Sequence, residues 1–384
     1  MTGRLRRCGL SFAAAAALAA ALAGCGEKIA IPEPEGLFSV NAYYAIDQYD
    51  DPHARQLAVV NGLLYVVGDD GSLVKRSQKY DERERQEGLA DPTAICADDD
   101  SGLIFVWEAG IGALTVFDVG NLDLLYSVAL PAVQSASHLA ACRTGVEAVD
   151  ANAHTFVYLA DPDSGVVHRY AYYAESGTAT PMGILCRDGG LSVRSVHEPA
   201  GMLRDIEGRL WVCDADTSRN WAIRFDPTPD LEDVSAVPGG QAPWRGLAYL
   251  VDAATCVPPT EADYVLGDAR ECGETDWVGG PSDEPGAFHL PLALATDGSG
   301  RYFVADHAND RIQIFTPEGL VDLVFGDENL TPAPSGIGVA DKTIGNDTNY
   351  GAFIFVVSAT SGQVHKFISH EEYTDSNTGP PPEQ

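Results

Sequence analysis

The sequence is short of basic residues, and this shortage narrows the classes of partner. It has 24 Lys and Arg side chains against 56 Asp and Glu, which gives a formal net charge of −32 at pH 7. A surface of this charge repels nucleic-acid phosphates and anionic lipid headgroups. We therefore expect no nucleic-acid partner and no membrane contact through the folded domain itself.

Several common catalytic signatures are also absent. The sequence contains no Gly-x-Ser-x-Gly elbow, no P-loop, no His-Glu-x-x-His motif and no Cys-x-x-Cys pair. These motifs position a catalytic nucleophile, bind a phosphate or ligate a metal. Because none of them is present, no nucleophile, phosphate site or metal site is assigned from a motif. No catalytic residue is predicted.

Long helical periodicity is missing as well. Between the N-terminal segment and the C-terminal tail, short runs of Val, Ile, Phe, Tyr and Leu alternate with turns rich in Gly, Asp and Ser. This alternation is typical of short strands joined by tight turns. It predicts an all-β chain.

The first 24 residues are typical of a secretory signal peptide. Three arginines precede an alanine-rich apolar stretch from Leu10 to Ala23, which is too short to favour a membrane span. The sequence Leu22-Ala23-Gly24-Cys25 follows, and it resembles the lipobox of bacterial lipoproteins. The resemblance implies cleavage before Cys25 and acylation, including palmitate, on that residue.

Several acyl chains on one residue would anchor the protein stably, whereas one chain would be marginal. Gly26 stands where aspartate would indicate retention at the inner membrane, so an outer-membrane address in the cell envelope is expected. Whether the domain faces the periplasm or outward stays open. Residues 25–36, rich in Pro and Glu, would be a linker, and the polar tail 371–384 would be disordered.

Six cysteines remain after Cys8 leaves with the signal peptide and Cys25 is lipidated. An even number in an oxidising compartment permits disulfides. Cys256 and Cys272 lie in one irregular segment and are the best candidate pair, although the connectivity stays open. Cys96 and Cys142 are expected to be buried thiols.

A strand-turn-strand pattern recurs along the chain. Segments beginning at Pro92, Pro199 and Pro291 each have an aspartate six residues on, then a glycine, then a strand that ends on an acid. A further strand recurs six times, ending at Arg76, Phe117, Tyr170, Phe225, Phe315 and Phe367. The spacing of roughly 40 to 55 residues, with one gap nearly doubled, is typical of β-propeller blades.

The segment 291–326, PLALATDGSGRYFVADHANDRIQIFTPEGLVDLVFG, resembles an NHL repeat. The resemblance extends, more weakly, over residues 37–370. It implies a six-bladed β-propeller that is usually a binding scaffold and in some branches an enzyme. The N-terminal stretch 36–46 would supply the last strand of the final blade and close the ring. Residues 237–288 would form either an excursion or a degenerate seventh blade.

The acids that end the second strands are interpreted as structural. They are Glu108, Asp161, Asp214 and Asp306, with Asp69 and Ser358 in the corresponding positions of the other two blades. Recurrence in blade after blade favours bonding to the backbone of each local turn. The alternative is a ring of carboxylates that binds a divalent cation such as Ca²⁺.

Three histidines are the candidate metal ligands. His197 and His289 stand two residues before an entry proline, and His138 occupies the proline position itself. All three would lie at one end of the central channel, where neutral imidazoles suit Zn²⁺. The arrangement resembles that of a metal-dependent lyase family with NHL-type blades, in which a histidine takes the position of the entry proline. His138 matches that position, whereas His197 and His289 do not. His168 and His365 are expected at the surface or between blades, without a ligand role.

The preferred interpretation is a lipid-anchored envelope propeller that binds a protein or a small ligand. The alternative is a metal-dependent lyase or hydrolase with its site at the channel mouth. No cofactor is assigned, and Ca²⁺ and Zn²⁺ are the only candidates. Membrane contact is expected through the lipid anchor alone.

Overall fold

A computed structural model describes residues 43–144, 154–185, 196–205, 210–217, 220–225, 265–266, 282–283, 285–317, 321–344 and 347–369. They form six antiparallel sheets of four strands each. Apart from one short 3₁₀ turn at His307–Asn309, the elements described are strands. No helix in this part of the chain is long and apolar enough to cross a membrane.

The first three blades follow the chain in simple meander order. Blade 1 holds β2 (Ala54–Val60), β3 (Leu63–Gly68), β4 (Leu73–Arg76) and β5 (Glu82–Gln86). Blade 2 holds β6 (Pro92–Asp98), β7 (Leu103–Glu108), β8 (Ala113–Asp118) and β9 (Leu124–Ala129). Blade 3 holds β10 (His138–Thr144), β11 (His154–Asp161), β12 (Val166–Tyr173) and β13 (Thr178–Leu185).

The next two blades repeat this order, and the last does not. Blade 4 holds β14 (Pro199–Arg204), β15 (Leu210–Asp214), β16 (Trp221–Phe225) and β17 (Val265–Leu266). Blade 5 holds β18 (Pro291–Thr296), β19 (Tyr302–Asp306), β20 (Arg311–Phe315) and β21 (Val321–Phe325). Blade 6 holds β22 (Pro334–Ile344), β23 (Asp347–Ser358), β24 (Gln363–Ser369) and, as its outer strand, β1 (Tyr43–Asp50).

The ring closes through this N-terminal strand. β1 pairs antiparallel with β24, from Tyr43 opposite Ser369 to Asp50 opposite Gln363. The last blade is therefore built from both ends of the domain, as predicted, although the strand lies at Tyr43–Asp50 and residues 36–42 of the expected stretch lie outside the described residues. Closure encloses the innermost strand of each blade around the channel, so that these inner sheet edges are protected, whereas each blade keeps an outer edge.

The hydrophobic core is divided into six apolar clusters, one at each junction between neighbouring blades. The cluster between blades 2 and 3, for example, joins Trp107 and Phe105 to Tyr172. Because a sheet alone exposes both faces, only stacking against two neighbours buries these side chains. The chain is a six-bladed β-propeller.

Among the described residues of the stretch 237–288, no seventh sheet is formed. The described pair Val265–Leu266 instead completes blade 4 by pairing with Ala222 and Ile223. The nearly doubled gap in the repeat therefore contains the outer strand of blade 4. Cys256 and Cys272 lie outside the described residues, as do Cys25, the linker 25–36 and the tail 371–384.

Two thiols are buried in the described strands. Cys96 and Cys213 are free cysteines, and burial raises the pKa of each well above its usual value. Such thiols are unreactive because the thiolate is the nucleophilic form. Cys142 lies on β10, at the strand position that Cys96 occupies on β6.

Candidate functional site

The candidate site lies at the channel mouth, where the six innermost strands begin. Four of these strands open with proline, at Pro92, Pro199, Pro291 and Pro334, and the other two open with Ala54 and His138. In every blade except blade 3 the pairing with the second strand shifts register at this point. A bulge of this kind turns a strand and re-aims its side chains.

Polar contacts join each blade to the next around this mouth. In the first three junctions Arg55 Nη1 donates to Asp91 Oδ1 (2.7 Å), Thr93 Oγ1 to the Ala136 carbonyl (2.7 Å) and Ser137 Oγ to the Pro199 carbonyl (3.4 Å). In the other three the Leu290 amide donates to Asn220 Oδ1 (2.7 Å), His307 Nδ1 to the Pro334 carbonyl (3.3 Å) and Ser335 Oγ to the Arg55 carbonyl (3.4 Å). We call these six contacts the mouth ring.

Two side chains extend across the channel inside the mouth ring. Gln56 of blade 1 donates from its amide nitrogen to the Ser137 carbonyl of blade 3. The same nitrogen lies 3.2 and 3.3 Å from the two ring nitrogens of His138. Because blades 1 and 3 are not neighbours in the ring, these contacts bridge the channel opening.

The imidazole of His138 is held neutral at this position. Burial lowers its pKa to about 4, although a hydrogen bond with the backbone of Ser335 acts in the opposite direction. Neutral imidazole offers one donor and one acceptor nitrogen. His138 can therefore hydrogen-bond a polar ligand but carries no charge at neutral pH.

The structure does not bring the three candidate histidines together as a metal site. His197 lies with Nδ1 3.5 Å from Asp216 Oδ2, and the backbone amide of His289 donates to Asp306 Oδ1. In the part of the chain that is described, no group of three or more His, Cys, Asp or Glu side chains is placed to hold a metal ion. Only His138 is on an inner strand, and the other two belong to segments that precede one.

The second-strand acids bind the segments that enter their own blades. Glu108 Oε2 accepts from the Ala90 amide (2.6 Å), and Asp161 Oδ2 accepts from the Gln134 amide (2.8 Å). Asp214 accepts from the His197 and Glu198 amides, at 3.1 and 3.0 Å. All four acids, including Asp306, are buried. The acids were expected to bond to the turns that follow them. They also bond to the entry segments, which are the residues just before the innermost strand of each blade.

In three blades a side chain of the third strand also contacts the buried acid, a pairing that the sequence analysis did not predict. The acid, the segment that enters the blade and this side chain together form one hydrogen-bonded unit. Thr115 donates to Glu108, His168 Nε2 lies 3.3 Å from Asp161 Oδ2, and Gln313 donates to Asp306 at 2.9 Å. In each case the partner follows the acid by seven residues, a spacing that would have revealed the pair. His168 is therefore buried, and its site is internal to blade 3.

The carboxylate of Asp161 shows how this unit acts on charge. Burial alone would raise its pKa, but hydrogen bonds from Gln134, Ser164 and His168 together hold that pKa below the usual value. The acid stays ionised inside the blade because its oxygens are saturated with donors. Such carboxylates stabilise a blade and leave few lone pairs for a cation.

Blades 1 and 6 depart from the pattern. In blade 1 the residue opposite Ala54 is Gly68, so Asp69 lies one position beyond the predicted slot, where it binds His53 Nδ1 at 2.6 Å. In blade 6 Ser358 takes the slot and donates to the Pro332 carbonyl. His365 is buried seven residues later, and its Nε2 has no hydrogen-bond partner among the described residues.

No family model matches the chain, and no curated protein matches it. Solved structures do. An auxiliary nutrient-binding protein from Bacteroides thetaiotaomicron superposes with a TM-score of 0.50 at 14% identity, over 84% of this chain and 70% of its own. The shared feature is the propeller fold.

Two further solved propellers have lower scores. A gluconolactonase from Xanthomonas campestris gives a TM-score of 0.47 at 12% identity, over 86% of this chain and 90% of its own. Virginiamycin B lyase from Staphylococcus aureus gives 0.44 at 8% identity, over 85% and 99%. At these identities the likeness concerns architecture alone, since one propeller fold hosts unrelated activities.

Proposed function

We propose that this protein is a lipid-anchored propeller of the bacterial cell envelope that binds a protein or small ligand. The observation that carries the proposal is the mouth ring. The polar side chains at the channel mouth form hydrogen bonds between neighbouring blades, and are therefore not free to act on a substrate. The result is a rigid closed frame, and a rigid frame presents binding surfaces at a low entropic cost.

The anchoring part of the proposal rests on the lipobox-like sequence that ends at Cys25. In this proposal the acylated Cys25 holds the domain at the outer membrane. The strongly acidic domain itself stays off the anionic lipid surface, because like charges repel.

Metabolic labelling with palmitate tests the anchor. The full chain is produced in a Gram-negative bacterium as wild type, as Cys25→Ser and as Cys8→Ser, which changes a cysteine that is removed with the signal peptide. We expect label and outer-membrane fractionation for the wild type and Cys8→Ser, and neither for Cys25→Ser. Label retained in Cys25→Ser would contradict the anchor.

The second candidate is a metal-dependent enzyme with its site at the channel mouth. It is favoured by His138, whose neutral imidazole reaches across the channel beside Gln56. Elemental analysis of the purified protein separates the two candidates. Stoichiometric zinc or calcium that disappears in His138→Ala would favour the enzyme, whereas a metal-free protein whose thermal stability is unchanged by a chelator would favour the binding module.

A further inference from the structure

The outer strand of blade 2 exposes an apolar surface. In β9, sequence LLYSVA, Leu124 is 58% exposed, Leu125 is 41% exposed and Tyr126 is 38% exposed. Large apolar side chains grouped on one strand differ from single exposed residues, which every protein surface has. β9 is also the outermost strand of its sheet, so its outer edge presents unpaired backbone groups.

The other outer strands of the described blades carry features that discourage pairing. β5 is the charged sequence ERERQ, β21 contains Asp322, β1 contains two aspartates and β13 contains Pro181. Of β17, two residues are described, Val265–Leu266. Charges and proline are among the means by which natural sheets protect an edge. β9 has six residues and neither charge nor proline, although its pairing with β8 shifts register between Val116 and Phe117, as the pairings of β1, β5, β13 and β21 also do.

The strand is held firmly in position. Val128 packs against the apolar cluster between blades 2 and 3. The ring of Tyr126 lies directly on Gly177 of blade 3, so that a Cβ at Gly177 would meet the ring at 2.0 Å. An edge that is already ordered costs little further entropy when a partner strand is added.

The charged side chains of blade 2 itself are all acidic, although Lys75 of blade 1 donates to the Gly120 carbonyl of this blade. No Lys or Arg occurs from residue 86 to residue 142, a span that includes the whole of blade 2. The acidic residues of the blade are Asp98, Asp99, Asp100, Glu108, Asp118 and Asp123. Asp123 is exposed and immediately precedes the strand. A second copy of this chain, itself at −32, would be repelled, whereas a basic segment would be attracted.

We propose that β9 is a docking edge for an extended segment of a partner protein in which Lys or Arg alternates with apolar residues. The segment adds a fifth strand to blade 2. Main-chain hydrogen bonds supply affinity, Leu124 and Tyr126 contact its apolar side chains, and the acidic blade selects its charge. This inference rests on the binding role proposed above and names the partner chemistry.

A peptide-binding experiment on the full chain tests this docking edge. The probe is a fluorescent eight-residue peptide alternating valine and lysine, and the comparison peptide alternates valine and glutamate. The key variant is Leu124→Lys. The matched control is Ile111→Lys, which makes the same change of charge and shape at a 56% exposed site of blade 2 outside the strand.

We expect saturable binding of the Val–Lys peptide, at least tenfold weaker binding of the Val–Glu peptide, and a loss of about tenfold in Leu124→Lys. Ile111→Lys should lose no more than about threefold. Equal losses in the two variants, or no binding of the Val–Lys peptide, would overturn the docking edge. Full binding in Leu124→Lys would overturn the edge while leaving the binding role intact. A dimer that Leu124→Lys converts to monomer would overturn the proposal in favour of self-association.

Discussion

At the scale of single residues, position relative to the inner strand decides what each histidine does. His138 is the first residue of β10 and reaches Gln56 across the channel. His197 and His289 stand two residues before their strands, where a buried acid binds their backbone amides. The sequence predicted that all three lie near the channel mouth, but the two-residue offset places His197 and His289 in the segments before the strands, and spacing alone does not reveal where their side chains point.

The low pKa of His138 makes stability depend on pH. The folded protein keeps this imidazole neutral down to about pH 4, whereas the unfolded chain protonates it near its ordinary value of 6.5. Stability is therefore full above pH 6.5 and falls between pH 6.5 and 4, by at most about 3 kcal/mol. Urea unfolding of wild type and His138→Gln across this window measures the effect. Parallel curves for the two proteins would contradict it.

At the scale of elements, the strands were predictable and the entries to the inner strands were not. All six recurrent third strands occur as β4, β8, β12, β16, β20 and β24, because turn residues and apolar alternation are local signals. The entry geometry is different. Asp91, Leu290 and Ala333, each just before an entry proline, have positive φ, a conformation that aspartate tolerates but leucine and alanine rarely adopt. Tertiary contacts impose it.

The junction between blades 4 and 5 depends on a glycine. A Cβ at Gly201 would lie 2.5 Å from the Leu292 carbonyl oxygen and 2.6 Å from Ala293 Cα, both of them backbone atoms that cannot swing aside. We expect Gly201→Ala to lower the free energy of unfolding by about 2 kcal/mol. Chemical denaturation measures the change.

Gly336, near the start of β22 in blade 6, supplies the control for this substitution. The nearest atoms to its Cβ position are 3.4 Å away, which is ordinary contact. Gly336→Ala should be neutral or stabilise by up to about 1 kcal/mol, since alanine restricts the unfolded chain. Equal destabilisation by both substitutions would show that close approach of the two inner strands is not the cause.

At the scale of the whole molecule, the closed ring of blades accounts for the structural role of the inner strands and leaves the outer strands as surfaces on which a partner could bind. The repeat length and the unpaired N-terminal strand predicted six blades and their closure, and both are confirmed. The proposed docking edge could not be predicted in this way, because an apolar run such as LLYSVA does not show whether its strand is buried or exposed. Exposure depends on β9 being outermost, and only the assembled blade shows that.

Hydrogen exchange of the full chain, with and without the Val–Lys peptide, tests the central claim most directly. The claim is that this propeller is a binding module whose interaction surface is the outer edge of blade 2. We predict that the peptide slows backbone amide exchange in residues 124–129 and leaves the entry segments of the mouth ring unchanged. Slowing at the mouth ring, with none in residues 124–129, would contradict the account.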